Sequence, residues 1–210
     1  MKNRGVLVVI SGFSGAGKGT LMKSLVSKYD YALSISMTTR APRAGEVDGQ
    51  DYFFVTKEKF ESTIEDGGLI EYANYCNNYY GTPKDYVEKQ LESGRDVILE
   101  IEAQGALQIK KKFPESLLIF VVTPDVQVLV DRLWGRGTET KEVIDRRLNR
   151  ASEEVDYIAE YDSIVINDDL DECRERLHEI IQGARFATFR NKDFIEGFRG
   201  QFAELLKEGE

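Results

Sequence analysis

The chain has 210 residues, of which 41% are apolar and 31% charged, and its net charge is −9 at neutral pH. These values are typical of a water-soluble globular domain with a sizeable core and room for inserted lobes. The acidic balance argues against nucleic acid as a partner, because binding DNA or RNA requires many lysines and arginines to neutralise phosphates. No apolar run approaches the ~18 residues of a membrane span, and we expect no signal peptide before the apolar run at Val6. We therefore expect a cytoplasmic protein with no membrane partner.

The first predicted strand, Val6–Ser11, is followed by a glycine-rich loop and then by a predicted helix. Closely spaced glycines allow successive backbone N–H groups to point at one anion. The positive end of the helix dipole and the mobile charge of Lys18 add attraction for phosphate groups. The pattern predicts a nucleotide-phosphate loop made of Gly12, Phe13, Ser14, Gly15, Ala16, Gly17, Lys18, Gly19 and Thr20.

The residue after the loop lysine is Gly19, where loops of this kind usually carry serine or threonine. The hydroxyl comes one residue later, at Thr20. We therefore expect no direct protein ligand for Mg²⁺. Instead, Thr20 would contact a phosphate, or Thr20 and Glu100 would reach the ion through water.

Apolar runs alternate with helical periodicities along the chain, which predicts an α/β fold with a largely parallel sheet. Near-continuous apolar segments suit strands that are covered on both faces. The predicted core strands are Val6–Ser11, Ala32–Ser36, Asp96–Ile101, Leu117–Val122 and Ser163–Ile166. Helices are predicted at Asp125–Leu133 and from Lys141 to about Ala159.

Residues 37–93 interrupt this alternation and are rich in Tyr, Gly and Asp. Short strands at Tyr52–Val55 and Leu69–Tyr72 are predicted on either side of a short helix at Lys57–Asp66. We interpret this segment as a small mixed α/β lobe inserted between core strands.

Arg40 and Arg43 lie three residues apart, with Tyr52 close behind. Two guanidinium groups and a phenol hydroxyl form a suitable set of donors for a terminal phosphate. The alternative is a solvated basic turn, which the two arginines alone do not exclude.

Alternation along a predicted core strand places Glu100 and Glu102 on one face, at the carboxyl end of that strand. Open parallel sheets bind ligands at this end. Two carboxylates there need donors or cations, so we expect a functional role, with solvated edge charges as the alternative.

A second group of arginines follows, with Arg132 and Arg136 four residues apart and Arg147 on the next predicted helix. Like charges at this spacing repel each other. The repulsion is explained if a polyanion bridges the arginines, and the alternative is a solvated face balanced by nearby acids.

Seven motifs occur in the order and spacing typical of guanylate kinases, which the chain resembles over about residues 4–184. They are Gly12–Thr20, Thr38–Arg43 through Tyr52, Ile70-Glu71, Tyr79–Thr82, Glu100–Gly105, Arg132–Thr138 and Ile166–Asp168. The resemblance implies a P-loop core (4–36 and 94–184), a GMP-binding lobe (about 37–93) and a helical lid (about 132–150).

The resemblance also implies roles for single residues. The loop and Asn167 would bind ATP, which carries Mg²⁺, while Lys18, Arg132, Arg136 and Arg147 would act on the transferred phosphate. The phosphate of GMP would be bound by Arg40, Arg43, Tyr52 and Tyr80. Its guanine would receive hydrogen bonds from Ser36 and Thr82 and donate to Glu71 and Glu102.

The activity that the resemblance implies is transfer of the γ-phosphate of ATP to GMP, giving ADP and GDP for guanine nucleotide synthesis and recycling. A non-catalytic protein-binding module with this fold is one alternative, against which the complete set of phosphate-binding residues argues. A ribose-bisphosphate kinase is another, and it would not need the residues assigned to the base.

The segment 185–210 lies outside the resemblance and has phenylalanines and leucines at three- and four-residue spacings. This is the pattern of an amphipathic helix, which Gly197 or Gly200 could break. An apolar stripe of this size requires a cover. We expect it to pack on the core of its own chain, with a homo-oligomer contact or a membrane surface as alternatives.

Overall fold

The computed structural model describes residues 4–43, 45–75, 77–135 and 140–207. The strands are β1 Leu7–Gly12, β2 Ala32–Leu33, β3 Met37–Thr38, β4 Phe53–Phe54, β5 Leu69–Tyr75, β6 Asn78–Pro83, β7 Val97–Glu100, β8 Leu117–Val122 and β9 Ser163–Ile166. The helices are α1 Lys18–Lys28, α2 Lys57–Glu65, α3 Lys84–Glu92, α4 Ala103–Lys112, α5 Val126–Trp134, α6 Lys141–Glu154, α7 Leu170–Ala184 and α8 Lys192–Lys207. Short 3₁₀ turns occupy Val155–Glu160 and Thr188–Arg190.

The core is a five-stranded sheet in the order β2-β7-β1-β8-β9, and each neighbouring pair is parallel. Alternate residues of β1 point to opposite faces. Val8 and Ile10 pack with residues of α1 and α7, whereas Leu7 and Val9 pack with residues of α3 and α4. The predicted parallel α/β core, covered on both faces, is confirmed.

The second sheet has the order β4-β3-β6-β5 and combines parallel with antiparallel pairing. It forms the inserted mixed lobe, with α2 beginning after Thr56, whose hydroxyl accepts from the backbone N–H of Lys59 at 3.2 Å. The sequence did not predict β3, β6 or α3. β3 has only two residues, and β6 contains Gly81 and Pro83, so its extended form depends on pairing with β5 rather than on propensity.

Several element boundaries also differ from the predicted ones, among them those of β2 and α6. β2 ends at Leu33 rather than at Ser36, although the N–H of Ser34 still donates to the carbonyl of Ile98 at 2.9 Å. α6 ends at Glu154, and the chain continues to Glu160 as a 3₁₀ turn. Arg136, for which the spacing predicts a helix face shared with Arg132, lies outside the described residues.

The extension after residue 184 consists of two parts with different contacts. In the first, Arg185 forms an ion pair with buried Asp96, with nitrogen–oxygen distances of 2.6 and 3.0 Å, and Arg190 donates to the carbonyl of Glu115 at 2.5 Å. In the second, α8 is continuous through both glycines and has no buried residue among those described. Its phenylalanine rings contact one another, the first pair at 5.0 Å between centroids of Phe194 and Phe198.

The expectation that the apolar stripe packs on its own core is therefore wrong for the residues described. Phe194 is 66% exposed, Phe202 59% and Leu206 71%. Within the described ranges, no helix is both long and apolar enough to cross a membrane.

Because the two parts of the extension have different contacts, we expect changes in them to affect the stability of the protein differently. Deleting residues 192–210 removes a helix whose described residues are all at least partly exposed, so we expect the melting temperature to change by less than about 2 °C.

Arg185→Met removes the charged partner of buried Asp96 and leaves it the N–H of Val6, at 2.7 Å, as a donor. Loss of this ion pair should lower the free energy of unfolding by about 2–4 kcal/mol. Thermal unfolding monitored by circular dichroism measures both effects.

Arg176→Met is the matched control, because the pair of Arg176 with Glu172 is exposed on both sides (57% and 70%). Such a pair contributes at most about 1 kcal/mol. A large loss of stability on deletion of 192–210 would show that α8 has a partner in solution.

Candidate active site

The phosphate loop lies at the carboxyl end of the central strand, between β1 and α1. Gly17, the residue before α1, has φ of 88°, a left-handed conformation that favours glycine. A Cβ atom at Gly17 would also lie 2.5 Å from Nδ2 of Asn167. Glycine is therefore required here by both backbone conformation and space, and the predicted strand–loop–helix order is present.

Asn167 follows β9 and is buried against this loop. Its side-chain nitrogen donates to the carbonyl of Ala16 at 2.7 Å, and its backbone N–H donates to the carbonyl of Val122 at 2.8 Å. Asn167 thus connects the loop to the edge of the core sheet and stabilises the loop conformation.

The ammonium group of Lys18 is held by the loop itself. Its Nζ donates to the carbonyl of Gly12 at 2.5 Å and to that of Phe13 at 3.2 Å. Phosphate oxygens could replace these neutral acceptors, because an ion–ion hydrogen bond is stronger than an ion–dipole one. The ammonium group of Lys18 is therefore held at the loop by acceptors that a phosphate group could displace.

Glu100 is the last residue of β7, and Glu102 immediately precedes α4. Burial raises the pKa of the Glu100 carboxyl, with the charge of Lys18 opposing the rise and that of Glu102 adding to it. The predicted placement of both carboxylates on one strand face is therefore wrong for Glu102, because the strand ends at Glu100 and the chain turns into α4. Glu100 does lie at the carboxyl end of its strand, as predicted. Among the described residues, no group of three or more acidic, histidine or cysteine side chains is arranged to hold a metal ion.

Sequence reasoning missed a third carboxylate in this region, Glu154 at the end of α6. It is only 4% exposed, and Arg150 donates to its Oε1 at 3.1 Å. Burial raises the pKa of Glu154, and the charge of Glu102 raises it further. Because Glu154 lies in a run of polar residues, no local sequence signal distinguishes it from a solvated helix end.

Two arginines, one from α5 and one from α6, approach the loop. Arg147 on α6 donates from Nη1 to Oγ of Ser14 at 3.0 Å. Arg132 on α5 places Nη1 3.9 Å from the position that a Cβ of Gly17 would occupy. The structure thus brings Arg132 and Arg147 close to the loop.

In the lobe, Arg40, Tyr52 and Tyr80 form one cluster. The guanidinium carbon of Arg40 lies 5.3 Å from the ring centroid of Tyr52, whose ring is 6.0 Å from that of Tyr80. Glu46, which the sequence analysis did not single out, receives two hydrogen bonds of 2.9 Å from Arg40 and one of 2.7 Å from the backbone N–H of Arg43. Hydrogen bonding to Arg40 lowers the pKa of Glu46. The carboxylate of Glu46 therefore neutralises the charge of Arg40 in this structure.

The other candidate group in the lobe contains Glu71 and Thr82 on the paired strands β5 and β6. Glu71 is 3% exposed, and its Oε1 accepts from the hydroxyl of Thr82 at 2.7 Å. Burial raises the pKa of Glu71, which the hydrogen bonds from Thr82 and the charge of Lys112 oppose. Ser36 directly precedes β3, the other neighbour of β6. This arrangement presents a buried acceptor to a ligand that carries N–H donors.

Comparison with known proteins identifies the family. A family model described as guanylate kinase matches residues 4–184. The guanylate kinase of Caldanaerobacter subterraneus subsp. tengcongensis is 50% identical over 194 residues, covering 92% of this chain and 94% of that protein. The guanylate kinase of Streptococcus agalactiae is 46% identical over 212 residues, covering 99% of this chain and 97% of that protein.

The fold is also shared with a solved structure, the crystal structure of guanylate kinase from Anaplasma phagocytophilum. The TM-score is 0.75 at 30% sequence identity, and the alignment covers 90% of each chain. The resemblance inferred from the motifs is confirmed by all of these comparisons. The chain therefore belongs to the guanylate kinase family of enzymes.

Proposed function

We propose that this chain transfers the γ-phosphate of ATP to GMP, giving ADP and GDP, in guanine nucleotide synthesis and recycling in the cytoplasm. The observation that carries the proposal is the buried carboxylate of Glu71, which accepts from the hydroxyl of Thr82, in the inserted lobe of a protein with a phosphate loop. A buried carboxylate requires donors, and guanine supplies two, the N1–H and the 2-amino group.

On the donor side, ATP binds with its phosphates along the loop from Gly12 to Thr20 and its adenine near Asn167. Lys18 contacts the group that is transferred. The lid arginines, Arg132, Arg136 and Arg147, close over the same phosphates. The contact of Arg147 with Ser14 supports this assignment, because through it α6 reaches the loop.

On the acceptor side, the phosphate of GMP binds to Arg40, Arg43, Tyr52 and Tyr80. Arg40 exchanges its bidentate contact with Glu46, at least in part, for the phosphate, which also presents a pair of oxygens to the guanidinium group. The base binds deeper in the lobe, where its nitrogens donate to Glu71 and Glu102 and its carbonyl accepts from Ser36 and Thr82. For this the hydroxyl of Thr82, which has one proton to donate, turns from Glu71 to the base.

The chemistry needs no covalent intermediate. A phosphate oxygen of GMP attacks the γ-phosphorus of ATP in line with the departing ADP oxygen, and the bond from that oxygen to phosphorus breaks. Catalysis then consists of positioning and of stabilising the charge on the equatorial oxygens, which Lys18 and the lid arginines provide. Closure of the lid excludes water, which would otherwise accept the phosphate.

Mg²⁺ fits the donor set at this end of the sheet. Glu100 and Glu102 are hard oxygen donors, and Mg²⁺ binds through few carboxylates, several waters and substrate phosphates. Glu100 and Thr20 would hold the ion through water, because Gly19 stands where such loops usually carry the hydroxyl that binds the ion directly. When bound with ATP, the ion would supply positive charge that offsets the charge of the phosphates.

The partners that follow are ATP and GMP, with no nucleic acid and no membrane, and assembly of two or more copies is compatible with the exposed α8. A protein-binding module would not require Lys18 and the lid arginines at the loop. A ribose-bisphosphate kinase would not require Glu71 and Thr82.

The test is a coupled assay of ADP release with GMP, AMP, UMP and ribose phosphates as acceptors. Adenine has no 2-amino donor and carries a lone pair at N1, so it would leave the buried carboxylate of Glu71 without a donor from the base. We expect kcat/KM for GMP to exceed that for AMP by about 10⁴. Similar values for AMP and GMP would contradict the proposal, as would preferred turnover of a ribose phosphate or absence of ADP release with every acceptor.

A further inference from the structure

Gly105, the third residue of α4, is a glycine that the helix itself does not need. It is not among the glycines with positive φ. Glycine weakens the interior of a helix relative to alanine. A reason for its presence must therefore come from a neighbouring element.

The reason is the carboxylate of Glu71. A Cβ atom at Gly105 would lie 2.8 Å from Oε2 of Glu71, 3.4 Å from its Cδ and 3.3 Å from Cδ1 of Ile101. The first of these distances is shorter than any normal contact between carbon and oxygen. The space that a methyl group would fill is thus occupied by the carboxylate that we assign to the guanine base.

A hydrogen bond connects α4 to β5, so the two elements cannot separate easily to admit a methyl group. Nζ of Lys112, in the last turn of α4, donates to the carbonyl of Ile70 on β5 at 2.7 Å. Thr82 holds the other oxygen of Glu71 at 2.7 Å. Rotation of the Glu71 carboxylate is the smallest movement that relieves the clash, because the end of a side chain moves more easily than two packed backbones.

We propose that Gly105 is a positioning residue that fixes the Glu71 carboxylate for base recognition and so contributes to the choice of guanine. This inference rests on the proposed function, since it concerns the group that accepts hydrogen bonds from GMP. Gly105 itself contacts no substrate. It acts by leaving room for Oε2 beside α4, the helix that begins immediately after Glu102.

The first experiment compares Gly105→Ala with Gly183→Ala. Gly183 also lies within a helix, α7, but a Cβ atom there would have no neighbour within 4 Å among the described residues. In Gly105→Ala we expect KM for GMP to rise about 10-fold, as for a weakened hydrogen bond to a charged group. KM for ATP and the melting temperature should stay close to the wild-type values. Gly183→Ala should change neither KM.

The second experiment tests the contact itself with Glu71→Asp, which shortens the side chain by one methylene. Aspartate withdraws its carboxylate from the methyl group that Gly105→Ala adds, so the two changes should not act independently. We expect KM for GMP in the variant with both Gly105→Ala and Glu71→Asp to be clearly lower than the product of the two single effects predicts. Gly183→Ala combined with Glu71→Asp should be multiplicative.

Three results would overturn the inference while the proposed function stands: an unchanged KM for GMP in folded Gly105→Ala, multiplicative behaviour of Gly105→Ala with Glu71→Asp, or an unfolded Gly105→Ala protein. The last would mean that the backbone yields rather than the carboxylate. A wild-type protein that fails to phosphorylate GMP would overturn the proposed function and this inference with it.

Discussion

Lys18→Ala is expected to lower kcat for GMP phosphorylation by about 10³-fold or more, a larger effect than we expect of any other single change. Among the described residues, the ammonium group donates to the carbonyl oxygens of Gly12 and Phe13. It can exchange these neutral acceptors for the transferred phosphate as charge moves in the transition state. A donor whose interaction grows in the transition state contributes to kcat rather than to binding.

Steady-state kinetics with saturating ATP and GMP measure this effect. Lys23→Ala is the control, because Lys23 is exposed on the same helix, α1, and its loss should leave kcat unchanged. An unchanged kcat in Lys18→Ala would show that the loop does not bind the transferred phosphate. A large rise in KM for ATP with normal kcat would instead show that Lys18 contributes equally to substrate and transition state.

The core of the fold was predictable because its signals are local. Near-continuous apolar runs specify strands such as Leu117–Val122, and the glycines and lysine of the loop specify the change from strand to helix. The short strands of the lobe were not predictable in the same way. β6 is extended because it pairs with β3 and β5, and pairing is not visible in a segment that contains both glycine and proline.

The same distinction applies to the site. Motif spacing predicted Arg40 and Glu71 as candidate site residues. It did not predict their protein neighbours, because Glu46 lies in an irregular loop and Gly105 is distant in sequence from Glu71. Periodicity likewise predicted the amphipathic α8 but not its environment. A pattern of apolar residues shows that a helix has an apolar face, and only the structure shows whether that face has a partner.

Glu71→Gln is the second change with a large expected effect, and it acts on substrate choice. Glutamine keeps the size of glutamate but replaces one acceptor oxygen by an NH₂ donor, which would face a donor of guanine. Loss of a hydrogen bond to a charged group together with a donor–donor conflict should cost about 3–4 kcal/mol. We expect kcat/KM for GMP to fall by about 10²- to 10³-fold, while kcat/KM for AMP stays constant or rises, because the new donor suits N1 of adenine.

The pH dependence follows from the burial of Glu71, which raises its pKa above the ordinary value of 4.5. Only the carboxylate form accepts from both donors of guanine. In the wild type, KM for GMP should therefore increase as pH falls through this raised pKa, and this increase should be absent in Glu71→Gln. The free energy of unfolding depends on pH in the opposite direction, because the folded state binds the proton of Glu71 more tightly than the unfolded state. Burial of Glu71 therefore destabilises the fold least at pH values below the ordinary pKa and most at pH values above the raised pKa.

Glu65→Gln provides the control, because Glu65 is exposed at the end of α2 in the same lobe. It should change neither the ratio of GMP to AMP turnover nor its pH dependence. The melting temperature of Glu71→Gln at neutral pH should be at least that of the wild type, because a buried charge is replaced by a neutral group of the same shape. A folded Glu71→Gln protein that still prefers GMP by the wild-type factor would assign base recognition to other residues, since a carboxylate that can be neutralised without consequence is not what distinguishes guanine from adenine.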